Sequence, residues 1–170
     1  MPRYVALLRG VSPMNLKMPA LQRCLEEAGF THVRTLLSSG NLAFDSPKKS
    51  ELALARKLEA AMAASLDRSF WTLVRPRSHL QALVDADPFA ALDAPAGMKK
   101  VVTFLREPIA SALRFPMEKD GAQLAMQGLE IFTAYPPQPN NPAFIGMLER
   151  SFGGAITTRT WDTVRKCAAA

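Results

Sequence analysis

Arg9, Lys17, Arg34, Ser38, Ser39 and Asn41 are the side chains of this sequence whose types, brought together, suit the binding of a phosphate or carboxylate. A guanidinium clamps such a group through two parallel hydrogen bonds, an ammonium adds a movable point charge, and hydroxyls and turn amides donate at close range. Whether they meet depends on the stretch Val33-Arg34-Thr35-Leu36-Leu37-Ser38-Ser39-Gly40-Asn41-Leu42-Ala43-Phe44, in which two apolar runs flank a small polar segment. The pattern predicts a β-hairpin, with Gly40 and Asn41 as the residue types that tolerate positive φ in a tight turn. Structural roles compete for the same residues: Arg9 can cap carbonyls, and Asn41 can satisfy its own turn through an Asx bond.

A second candidate cluster is Thr158-Arg159-Thr160-Trp161, where a strand is expected to hand over to a helix. Thr160 can cap that helix and Asp162 can favour its positive end. Arg159 with the first amides could hold an anion, and Trp161 could offer a flat wall for a base. The spacing of Trp161 to Val164 and Ala168, however, is that of an apolar helix face, which points to packing. Other chemistry is poorly supplied. His32 and His79 have no acidic or cysteine neighbours at ligand spacing, Ser38 and Ser39 have no nucleophile-elbow context, and Cys24 and Cys167 stand far apart without a motif. Glu26-Glu27 belong to a solvated helix face, and Asp85 with Asp87 to a helix exit. No metal and no cofactor is expected.

The elements that must position these residues follow from apolar periodicity. Tyr4-Val5-Ala6-Leu7-Leu8 reads as a central strand. Pro19 suits a first helical turn, with Met18, Leu21, Leu25 and Ala28 on one face and Gly29 as C-cap. After the hairpin, Ser46-Pro47 is expected to open a long helix striped by Leu54, Leu58, Met62 and Leu66, and Phe70 to Val74 a fourth strand. Residues 3 to 75 thus read strand, helix, strand, strand, helix, strand, the ferredoxin-like order, in which the first and third strands are antiparallel central neighbours. Ser78 is expected to cap a short helix that Asp87-Pro88 ends. The second half is expected to repeat the order: strand Val101 to Leu105, helix Pro108 to Leu113, strands Gln123 to Met126 and Leu129 to Tyr135, helix Phe144 to Leu148, strand Ala155 to Thr158, then a final helix from Thr160. The predicted fold class is α+β, two ferredoxin-like (βαββαβ) subdomains in tandem plus a C-terminal helix, divided as 1–76, a connecting helix and linker 77–97, and 98–170.

With 48% hydrophobic residues in 170, the chain can bury a real core. Its 21 basic against 15 acidic residues give +6, spread along the chain without a run of five like charges. No stretch approaches a signal sequence or membrane span, so a cytoplasmic protein without a membrane partner is expected.

Tyr4-Val5-Ala6-Leu7-Leu8-Arg9-Gly10-Val11, Val33-Arg34-Thr35 with Ser39-Gly40-Asn41, and Thr157-Thr158-Arg159 with Trp161, Thr163-Val164 and Lys166 together resemble a bacterial family, domain of unknown function number 1697. Asp87-Pro88-Phe89 looks like a fourth landmark of it. The resemblance spans the chain and implies a two-subdomain α+β fold of ferredoxin-like type. Members commonly carry a Gly-Gly pair after the first strand. This loop reads Val11-Ser12-Pro13-Met14-Asn15-Leu16-Lys17, with no glycine beyond Gly10 and one amide lost to Pro13, so it is ill suited to cradle a phosphate.

The sequence therefore favours a non-catalytic cytoplasmic domain that binds a small anion, a nucleotide or nucleic-acid phosphate through Arg9, Lys17, Arg34, Ser39, Gly40 and Asn41, with Arg159 and Trp161 as a second candidate set. Two alternatives stand beside it: an enzyme acting on a phosphorylated metabolite, whose base is not identified, and a protein-interaction module using Phe144, Ile145 and Met147. The third strand has one aromatic where an RNA recognition motif wants several.

Overall fold

The computed structural model describes all residues but Asp93 and Pro139; Asp93, within the expected linker, lies outside the described residues. The architecture is α+β, with two antiparallel sheets and five helices among those residues. Two compact units divide the chain, Met1–Ala82 with Arg165–Ala170, and Leu83–Val164. No helix among the described residues is long and apolar enough to cross a membrane.

Unit 1 begins with β1 (Arg3–Leu8), α1 (Met18–Glu27), β2 (Thr31–Leu36), β3 (Asn41–Asp45), α2 (Glu51–Leu66) and β4 (Thr72–Pro76), and α3 (Arg77–Ala86) follows directly. Its sheet runs β2-β3-β1-β4 with every pair antiparallel. Strand alternation sends Tyr4, Ala6, Leu8, Leu42, Phe44 and Val74 into one core with Leu21 and Leu25 of α1 and Leu54, Leu58 and Met62 of α2. Phe30 meets Phe44 edge-on at 4.8 Å. On the alternate positions Val5, Leu7, Ala43 and Leu73 are also buried, which explains the unbroken apolar run of β1. The helix expected from Ser46 starts at Glu51 instead. Ser46 is buried with its hydroxyl on the Pro47 carbonyl, and Ser50 is the residue whose oxygen accepts from the Ala53 amide.

Unit 2 comprises a 3-10 turn Pro88–Ala91, β5 (Lys99–Leu105), β6 (Met117–Lys119), β7 (Ala122–Gln127), β8 (Glu130–Tyr135), α4 (Ala143–Phe152), β9 (Ile156–Thr160) and the first half of α5 (Trp161–Ala168). The sheet order is β6-β7-β8-β5-β9. Phe144, Met147, Leu148 and Phe152 of α4 cover Val101, Leu105, Leu124, Ile131 and Ile156. Phe89 of the 3-10 turn packs edge-on against Phe132 and Trp161.

The helix expected over Pro108 to Leu113 does not form, so the second half does not repeat the element order of the first. Pro108 drives Glu107 toward extended backbone, and Pro116 closes the segment before two turns could pay their entropy. The Arg114 guanidinium instead donates to the carbonyls of Ser111, Ala112 and Leu113, and Ile109, Leu113 and Phe115 pack on the core as an irregular segment. β6 takes the helix's place, paired to β7 through Asp120-Gly121, both at positive φ (48° and 85°). The patch proposed from Phe144, Ile145 and Met147 is not exposed: Phe144 and Met147 are buried and Ile145 is half-buried against the same core.

Candidate functional site

The β2–β3 hairpin and the end of β1 do meet. Leu7 pairs with Asn41, Asn41 with Leu36, and the Leu8 amide donates to the Gly40 carbonyl at 2.9 Å. Arg9 is the next residue along, half-buried, its amide on the Trp71 carbonyl. Arg9, Ser39, Gly40 and Asn41 therefore share one end of the sheet, with exposed Ser38 in the turn and exposed Arg34 two residues before Leu36 on β2. The positive φ angles of the turn fall on Leu37 (59°) and Gly40 (84°), whereas Asn41 is already strand. Asn41 is fully buried and braces the turn from inside, its Nδ2 donating to the Leu36 carbonyl at 3.1 Å and to Ser39 Oγ at 3.0 Å. Its role is architectural, by a bond across the turn in place of the expected Asx bond. Gly40 is held there because a Cβ would lie 3.0 Å from the Cβ atoms of Leu8 and Val11.

The loop between β1 and α1 spends its amides on itself. Ser12 N donates to Asn15 Oδ1, Met14 N to Ser12 Oγ, and Asn15 N and Leu16 N to the Ser12 carbonyl. Asn15 Nδ2 closes the ring on the Gly10 carbonyl. As the sequence suggested, no row of amides faces outward to cradle a phosphate. Lys17 is exposed at the N-cap position of α1, with Nζ on the Pro13 carbonyl at 2.9 Å. Two large apolar side chains are exposed at this end, Met14 at the loop tip (94%) and Leu37 in the turn (50%). A groove of about 340 Å³ lies between α1 and β2, lined by Met18, Gln22, Arg23, Glu26 and Thr35, and none of the site candidates lines it.

Arg159 and Trp161 belong to unit 2. Arg159 Nη1 donates to Thr157 Oγ1 at 2.7 Å and to the Thr158 carbonyl at 3.0 Å. Trp161 is 8% exposed with its ring centroid 4.9 Å from Phe89, so the packing its spacing suggested is what it does. Thr160 Oγ1 accepts from the Thr163 amide, the cap that was expected.

Sequence reasoning missed a cluster at the opposite end of the unit 1 sheet. Asp45, paired with Arg3 across β1 and β3, accepts Arg3 Nη1 on Oδ1 at 2.8 Å and meets His32 Nδ1 with Oδ2 at 2.9 Å. Arg3 Nη1 also donates to the His32 carbonyl, and Arg3 Nε to the Ala170 carbonyl. The hydrogen bond from Arg3 holds the Asp45 carboxyl below its ordinary 3.8; burial opposes this, and the charges of Arg3 and His32 add to it. His32 reaches Asp45 because β2 carries an extra residue between Thr31 and Arg34, and its φ is 51°. Nothing in the spacing of the residues announces that bulge. No group of three or more His, Cys, Asp or Glu able to hold a metal occurs among the described residues.

No curated protein matches the chain. It is similar in fold to the solved structure of the conserved bacterial protein SP0830 from Streptococcus pneumoniae, at 24% identity with a TM-score of 0.74, covering 99% of this chain and 97% of that one. Residues 1–132 match the model of a family described as protein of unknown function (DUF1697), a range that takes in all of β1 to β7, the hairpin and the His32 cluster. The chain belongs to that family.

Proposed function

We propose that the loop-and-hairpin end of unit 1 is a non-catalytic binding face for an anion, whether a small anion, a nucleotide or nucleic-acid phosphate. The observation that carries the reading is charge. Residues 4–25 and 30–44, which make up β1 beyond Arg3, the loop, α1 up to its last turn and the hairpin up to Asp45, contain Arg9, Lys17, Arg23 and Arg34 and not one aspartate or glutamate. Carboxylates begin again at Glu26 and Asp45. Exposed Met14 and Leu37 at the same end suit a ligand that offers apolar surface as well as charge. The absence of outward loop amides leaves the cationic side chains and the turn hydroxyls to make the contacts. A cytoplasmic setting belongs to this reading, supported by two cysteines that are both free and buried. So does a division into two domains near residues 77–97, the first of ferredoxin-like type.

Calorimetric or fluorescence titration with nucleotides and a short single-stranded oligonucleotide tests it. Binding of the oligonucleotide is expected to weaken by about 0.7 logarithmic units per tenfold rise in salt for each phosphate neutralised. Arg9→Ala is expected to weaken it about tenfold, the loss of a charge-assisted hydrogen bond. No binding to any of these anions at low salt would retire the reading.

A further inference from the structure

His32 is held as a histidine poised for chemistry is held, at the sheet end away from the proposed anion face. Ion-paired to Arg3, Asp45 remains a carboxylate and can only accept, so the imidazole proton of the contact sits on Nδ1. In the neutral ring that arrangement leaves the lone pair on Nε2. It makes no hydrogen bond to any described residue, and the side chain is 76% exposed. The backbone bond from Arg3 Nη1 to the His32 carbonyl, at 3.1 Å, fixes the bulge from which the ring projects. A structural role accounts for little of this. Arg3 already neutralises Asp45, and an exposed His–Asp contact adds well under about 1 kcal/mol to a fold.

The surroundings select the substrate's charge. Lys48 and Lys49 come three and four residues after the end of β3 and are exposed, Lys57 lies 4.5 Å over the Phe30 ring that precedes β2, and Arg77 reaches the same Ala170 oxygen as Arg3. Glu26 and Glu27 at the end of α1 and Glu51 at the start of α2 are the further carboxylates that flank this end in sequence. The exposed ammonium groups of Lys48 and Lys49, just past the end of β3 that carries Asp45, favour the approach of an anionic donor.

We propose that His32 accepts a phosphoryl group at Nε2 from a small activated donor of the phosphoramidate or acyl-phosphate class. The Nε2 lone pair attacks phosphorus and forms the N–P bond. The bond from phosphorus to the donor's nitrogen or carboxylate oxygen breaks, and its electron pair leaves with that atom, as ammonia from the N-protonated form of phosphoramidate, whose nitrogen already carries three protons, or as a carboxylate from an acyl phosphate. The Nδ1 proton stays where it is, and the positive charge that develops on the ring faces Asp45 Oδ2. No electrons are exchanged with an oxidant or reductant, and no metal is needed.

The test treats the full chain with potassium phosphoramidate at neutral pH and follows the products by phosphorus NMR and peptide mass spectrometry. His79, exposed on α3, is the internal comparator. Phosphorylation is expected at Nε2 of His32, about tenfold faster than at His79, the scale of effect that an orienting carboxylate exerts on a histidine. Asp45→Asn, with unchanged circular dichroism, is expected to bring the His32 rate down to that of His79, and His32→Gln to abolish the faster product. Should Asp45→Asn fail to fold, the wild-type regiochemistry and the His32 to His79 rate ratio decide alone. Equal rates at the two histidines, product at Nδ1 of His32, or a folded Asp45→Asn chain reacting at the wild-type rate would overturn the proposal.

Discussion

Gly40 shows how tightly the anion-face hairpin is tied to the strand beside it. Its φ of 84° is open to glycine at no cost, and its missing side chain is the space in which Leu8 and Val11 approach. Gly40→Ala is expected to destabilise the protein by about 1–3 kcal/mol, from backbone strain and overpacking together, read as a lower denaturation midpoint with an unchanged slope. Leu37 is the opposite case, a branched apolar side chain half exposed at a φ of 59°, unfavourable both for its backbone and for its solvation. Composition made Ser39, Gly40 and Asn41 visible as a turn and Trp161 as a packed residue, because each of those roles is local. It left Asn41's inward bracing and the Asp45–His32 contact invisible, because both depend on which residues face each other across strands. His32 in particular gains its carboxylate through a bulge that shifts the register by one residue, and a period-2 pattern carries no mark of such a shift.

At the scale of elements, the same cluster joins three adjacent strands at one end of a sheet: Arg3 on β1, Asp45 on β3 and His32 on β2. Because the Asp45 pKa is lower in the folded chain than its ordinary 3.8, the contact contributes stability at pH values above that figure. The contribution is lost as pH falls through the folded value, where the carboxyl must take a proton. Asp45→Asn is therefore expected to cost under about 1 kcal/mol at pH 7, and the gap between variant and wild type to close on acidification below pH 4 in paired urea titrations. A gap that widened toward acid would show the opposite sign of linkage. Strands and helices with strong periodicity, β1, α1 and the body of α2, stand where the sequence places them. The failures are instructive. Asp120-Gly121 is the dipeptide most diagnostic of a two-residue hairpin, and it marks β6 and β7 better than the apolar residues between Pro108 and Leu113 mark a helix. Two serines four residues apart competed for the start of α2, and Pro47 made the wrong one attractive; the true cap is the one followed by an uninterrupted run of helix formers.

For the whole molecule, the important fact is that unit 1 is discontinuous. Residues 1–82 are completed by Arg165–Ala170, whose Cys167, Ala168 and Ala170 are buried and whose last carbonyl accepts from Arg3 at 2.9 Å and from Arg77 at 3.4 Å. A chain lacking residues 165–170 is expected to melt about 2–8 °C lower, reflecting about 1–2 kcal/mol lost from a protein of this size. An unchanged melting temperature would mean that these six residues add nothing to the unit that contains them. The sequence did suggest two subdomains, since the break in pattern after β4 is plain, but a linear reading assigns the final helix to the half it follows. Contacts between distant ends are paid for in loop entropy and leave no trace in local composition. During synthesis this arrangement imposes an order of events. All of unit 2 must leave the ribosome before the residues that finish unit 1 exist outside it, so the nascent first sheet waits, with Arg3 and Arg77 lacking their shared acceptor, until the intervening domain has been made.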